Sequence, residues 1–190
     1  MSISRDPILL DNVKASLDLY QRSLMWGITA SLSAVLIAWR LRQGVGQPVS
    51  LLTTQVSAST GIVIALGLNT LFGFLAFNAL QRYLIALKSL SPTLDLKLFE
   101  AIMLNPSLAT SPPGFRIGSA LVPPLAAIVA WIIEIPRLRQ ITPDFDWATW
   151  GFTLLVFISP YIAVVWAVRR LPNLRDLQNE AAQQIVALEP

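Results

Sequence analysis

Few side chains in this sequence pair a reactive or polar group with a position that would give it unusual chemistry. Glu134 immediately follows a long charge-free stretch. A carboxylate drawn into hydrocarbon is expensive, which makes it a candidate proton or cation site. One helical turn later comes Arg137, so a paired anchor at a membrane edge is the competing reading. Asp144 and Asp146 sit in the next polar connection, placed to cap a following helix or to offer weak oxygen ligation.

A second constellation is built from small residues. Ser57, Gly61, Ala65, Asn69 and Gly73 recur at four-residue intervals, and Ala30, Ala34 and Ala38 repeat the pattern earlier in the chain. On helices, such stripes let a neighbouring backbone approach closely, either within the chain or at a subunit interface.

A third arises from depth. Counted from the nearest arginine at one membrane face, Ser31, Asn69, Pro124 and Pro160 lie eight to thirteen residues in, about 12–20 Å along a helix. Pro123, Pro124 and Pro160 free the carbonyls of Ser119, Ala120 and Val156, and in hydrocarbon those groups need partners. Ser159 and Asn69 are the nearby candidates. A satisfied kink and a hydrated cavity or pore are the two readings of this polar layer.

Other chemistry is excluded by composition. The chain has no histidine and no cysteine, so imidazole catalysis, thiolate nucleophiles, disulfides and His- or Cys-held metals are out. There is no phosphate-cradling glycine loop, serine elbow or zinc signature. No enzyme activity, cofactor or metal is expected.

The elements that must position these residues follow from charge-free stretches at 23–39, 43–81, 117–133 and 147–168. About 20 apolar residues suffice for a helix to cross a ~30 Å hydrocarbon core. Hydrophobic residues make up 54% of the 190 and charged ones 13%, with mean hydropathy +0.60. A soluble domain is about one-quarter charged, so a bilayer is the expected solvent. The predicted fold is all-α and polytopic, with spans at about 23–39, 51–81, 117–135 and 147–168 arranged as two hairpins in one domain. The first span follows a mixed polar segment and ends in Arg40 and Arg42, which predicts a retained helix and not a cleaved signal.

Three amphipathic helices accompany the spans. In the first, about 7–22, Leu9, Val13, Leu17 and Tyr20 oppose Asp11, Lys14, Asp18 and Arg22. It is expected to lie on the membrane or a partner before turning into the first span. The others are predicted at about 92–104 and 174–188. Arg-Leu-Arg-Gln closes both the first and third spans, at 40–43 and 137–140, which raises a duplicated two-helix unit as an explanation.

Ten of the 14 Lys and Arg residues fall on the side shared by both termini and the middle loop, predicting that side to be cytoplasmic or its organellar equivalent. Trp26 and Trp166 would mark that interface, and Trp39, Trp131, Trp147 and Trp150 the other. The pI near 9.7 reflects a net charge of only +3, scattered at span ends, so nucleic acid is not an expected partner. The bilayer is, together with another membrane protein or a second copy. The expected function is that of a non-enzymatic accessory, assembly or scaffolding subunit working through helix contacts. The alternative is an oligomeric channel subunit lined by the small, polar face of the second span.

Overall fold

In hydrocarbon every backbone amide must find its partner inside the chain, and a helix does this locally. A computed structural model describes residues 5–44, 49–51, 54–90, 107–141 and 146–171. They form four helices: α1 (Arg5–Arg42), α2 (Ala58–Leu90), α3 (Pro113–Ile141) and α4 (Trp147–Arg169). Each is long and apolar enough to span a membrane, over Leu10–Arg42, Ala58–Ala86, Pro113–Pro136 and Ala148–Arg169. A small antiparallel hairpin, β1 (Val49–Leu51) with β2 (Thr54–Val56), joins α1 to α2 and sets Val49 opposite Val56.

α1 differs from expectation by not turning. Its amphipathic first half and its apolar second half form one helix of 38 residues, about 57 Å long. No glycine or proline falls between them to break the ladder before Gly27. Val13, Leu17, Tyr20 and Leu24 are buried in one cluster with Leu80, Tyr83, Val164 and Val168. The apolar stripe of the first half is therefore covered by protein. Arg40 and Arg42 in the last turn suit the negative end of the helix dipole. Gly44 then takes φ 77°, the left-handed conformation that ends many helices.

α2 begins at Ala58, seven residues later than the predicted start at 51. The β-branched Val49, Thr54 and Val56 favour extended backbone and go to the hairpin instead. Ser57 caps the helix: its Oγ accepts from the Thr60 amide at 3.2 Å, and its carbonyl accepts from the Gly61 amide at 2.9 Å. α3 starts at Pro113, whose missing N–H is no loss in a first turn. α4 starts where expected, with the Asp146 carboxylate accepting from the Thr149 amide at 2.7 Å. Asp144 and the amphipathic segments predicted at 92–104 and 174–188 lie outside the described residues.

α1 packs on α2 and α3, and α4 packs on the same two helices. The α1–α2 pair thus lies beside the α3–α4 pair, with α1 and α4 diagonal. Two buried clusters stack along the bundle. One holds Leu17, Tyr20, Tyr83, Tyr161 and Val164; the other holds Ala34, Ala38, Ile62, Leu66, Trp131 and Trp150. Outside, Leu36, Val63, Phe74, Leu125, Ile132, Phe152 and Leu155 are exposed. Water penalises such a continuous apolar exterior, and hydrocarbon does not.

The Thr149 amide holds the Asp146 carboxyl below the usual aspartate range. A depressed folded-state pKa stabilises above the ordinary aspartate range, and this contribution disappears as the pH falls below it. Asp146→Asn keeps a capping oxygen but cannot titrate. Its detergent-solubilised melting temperature should fall less than wild type between pH 7 and pH ~3, by the same linkage; parallel acid limbs would contradict the cap.

Candidate helix-contact site

The small face of α2 points into the bundle. Gly61, Ala65, Asn69 and Gly73 are all buried there. Ser57, read from sequence as the first member of that stripe, is exposed and serves as the cap. A helix start and a packing stripe both favour a small residue, and the start prevails because the chain is extended just before it. On α1, Ala34 and Ala38 are fully buried beside Ile62, Ala65 and Leu66, while Ala30 is half-buried.

These stripes make room for a tyrosine. Tyr161 of α4 is fully buried and its O–H donates to the Asn69 carbonyl at 2.9 Å. Its ring lies against two glycines from different helices. A Cβ on Gly73 would sit 2.8 Å from Tyr161 Cε2 and 2.9 Å from Pro160 Cβ, and one on Gly27 of α1 would run into the Tyr161 hydroxyl. A tyrosine thus crosses the bundle's centre from α4 to α1, through space that any larger residue at 27 or 73 would occupy.

Of the predicted polar layer, the structure joins Asn69 to Pro160 through Tyr161. Pro123, Pro124 and Pro160 are buried. Ser31 is also fully buried, with its hydroxyl on the Ile28 carbonyl at 3.0 Å. Ser159 lies on the exposed side, yet its hydroxyl donates to the Val156 carbonyl that Pro160 leaves free, at 3.3 Å. Asn69 does not share that task. Its side-chain amide is fully buried and neither of its polar atoms has a hydrogen-bond partner among the described residues.

Glu134 is 3% exposed, so burial exceeds what an edge anchor requires, and its Oε1 accepts from the Ser59 hydroxyl at 3.2 Å. The Arg137 side chain, its expected partner, lies outside the described residues.

Several contributors were not singled out from sequence. Tyr83 and Tyr161 are buried, as is Tyr20, which the sequence pattern places on an apolar face. Arg116, counted only as a topology charge, is 4% exposed; its Nη1 donates to the Ala109 carbonyl at 3.2 Å, and it interacts electrostatically with Tyr20 and Tyr83. Trp131 and Trp150 were expected at the interface and instead turn inward, ring centroids 5.2 Å apart, with Phe157 edge-on to Trp131. Trp26, Trp39 and Trp166 are exposed, and Arg170 stacks 3.3 Å over the Trp166 ring.

No family model, curated protein or solved structure matches the chain. The geometry is that of helix contacts: close backbone approach, one central tyrosine and a buried amide.

Gly73→Ala should destabilise the bundle by about 1–3 kcal/mol, the cost of overpacking a tight site. Gly67, where an added Cβ would meet nothing within 4 Å, is the control; Gly67→Ala should be neutral or stabilising by up to ~1 kcal/mol through helix propensity. Because the Asn69 amide makes no hydrogen bond among the described residues, the near-isosteric Asn69→Leu should be neutral or stabilising. Thermal unfolding in detergent reads all three, and a large loss from Asn69→Leu would show that the amide has a partner.

Proposed function

We propose that this chain is a non-enzymatic integral membrane protein acting through helix–helix contacts, as an accessory, assembly or scaffolding subunit of a membrane complex. The observation that carries this reading is the inward small-residue face of α2. With Gly73 closed around Tyr161 and Ala65 packed beside Ala34 and Ala38, the bundle is knit by side chains suited to close contact. The sequence adds a chain without histidine or cysteine. The outer faces left for a partner are apolar and lipid-compatible.

The channel reading draws on one feature, the mid-span Asn69 amide that has no hydrogen-bond partner among the described residues. Against it, the face that would line a pore between subunits is occupied by the chain's own α1 and α4. In our reading both termini lie on the cytoplasmic side, as the lysine and arginine distribution favours.

Purification in mild detergent from native membranes, followed by native mass measurement, tests the proposal. The expected particle contains at least one different membrane polypeptide, and the isolated chain gives no ion flux in liposomes. A homo-oligomer that conducts ions alone would replace the accessory reading with the channel one.

A further inference from the structure

At the end of the bundle where α1 begins and α2 finishes, the two helices leave a groove of about 470 Å³ between them. The exposed Leu19 of α1 and Ile85 of α2 give it apolar walls, and the small side chains of Ala15, Ser16 and Ala86 keep it open. Asn12 from α1 and Arg82 from α2 also line it, and both are exposed. Among the described residues, no hydrogen bond or ion pair occupies either side chain, and no acidic residue lines the groove.

Position and charge together select the ligand. The groove lies at the ends of two candidate spans, one beginning at Leu10 on α1 and the other ending at Ala86 on α2. That is the level of lipid headgroups. Two turns beyond Leu19 on the same face of α1, Trp26 is exposed and stacks on Phe72 of α2, ring centroids 6.3 Å apart. The α1–α2 seam therefore runs from a polar groove to an aromatic pair of the kind that favours the membrane interface. Arg82 offers a planar fork of donors that suits phosphate oxygens, and the Asn12 amide adds two N–H groups. With no carboxylate in the lining, the ammonium of a zwitterionic headgroup meets only the like charge of Arg82. A headgroup whose sole charge is its phosphate meets attraction alone. The apolar walls and the aromatic pair beyond them add a place for an acyl chain, which free phosphate would leave unused.

We propose that this groove binds an anionic glycerophospholipid, with its phosphodiester on Arg82 and Asn12 and one acyl chain laid along the seam past Leu19 toward Trp26 and Phe72. The site goes beyond the contact role proposed above. Its test involves no partner polypeptide, so either proposal can fail alone.

The test is native mass measurement of the delipidated full chain in detergent with phosphatidylglycerol, phosphatidylethanolamine, phosphatidylcholine or soluble glycerophosphoglycerol. Phosphatidylglycerol should be retained about tenfold over the other two lipids, the scale of one charge–charge interaction at a part-exposed site. Arg82→Gln, at an exposed position, should remove that selectivity, and Asn12→Leu should weaken it. Arg42→Gln removes one positive charge at the far end of α1 and should leave the selectivity unchanged. Equal retention of the three lipids, selectivity that survives Arg82→Gln, or an equal loss from Arg42→Gln would overturn the proposal. Soluble glycerophosphoglycerol retained as well as the lipid would overturn the lipid assignment in favour of a water-borne phosphodiester.

Discussion

Helices in lipid gain little from hiding apolar surface from one another, because the lipid tails outside are equally apolar. What holds them is fit, and here the fit centres on Tyr161. Its ring and hydroxyl occupy the bundle axis only because Gly27 and Gly73 carry no side chain where it passes. From that point the rest follows. The hydroxyl fixes the height of α4 against α2 through the Asn69 carbonyl, and Pro160 beside it sets the local path of α4 against Gly73. Above and below, the two clusters combine alanines with tyrosine and tryptophan rings.

That centre also explains the distribution of polar groups. Ser31 and Ser159 return their hydroxyls to carbonyls of their own helices, while Thr70 of α2 shares its hydroxyl between the Leu66 carbonyl at 3.0 Å and the Phe157 carbonyl of α4 at 3.5 Å. Among the described residues, the hydrogen bonds reaching between elements include Tyr161 to Asn69, Thr70 to Phe157, Ser59 to Glu134 and Arg116 to Ala109. They tie the bundle at its middle and near either end. The bundle is thus apolar outside, locally satisfied along each helix, and cross-linked at a few polar points.

Much of this was legible in the residues. Four charge-free stretches became four helices, and four-residue spacing put Gly61, Ala65, Asn69 and Gly73 on one inner face. What escaped depended on partners distant in the chain. Nothing near Tyr161 announces that two glycines elsewhere leave room for its ring. Trp131 and Trp150 obey the statistical rule for interfacial tryptophans only until they find each other. The start of α2 failed for a local reason: β-branched residues before Ser57 were absorbed into a long apolar run, although a short hairpin suits them better. Arg116 was visible as a charge, but its buried place on the Ala109 carbonyl, near Tyr20 and Tyr83 of other helices, was not.

All of these contacts presuppose that hydrocarbon covers the outer faces of the helices. The chain has no cysteine of its own, so single substitutions Leu36→Cys, Val63→Cys, Leu125→Cys and Leu155→Cys, one on each helix, report directly. Treated with a membrane-impermeant maleimide in sealed vesicles, all four should stay unlabelled until detergent dissolves the membrane. Rapid labelling of these positions in intact vesicles would contradict a membrane-spanning bundle.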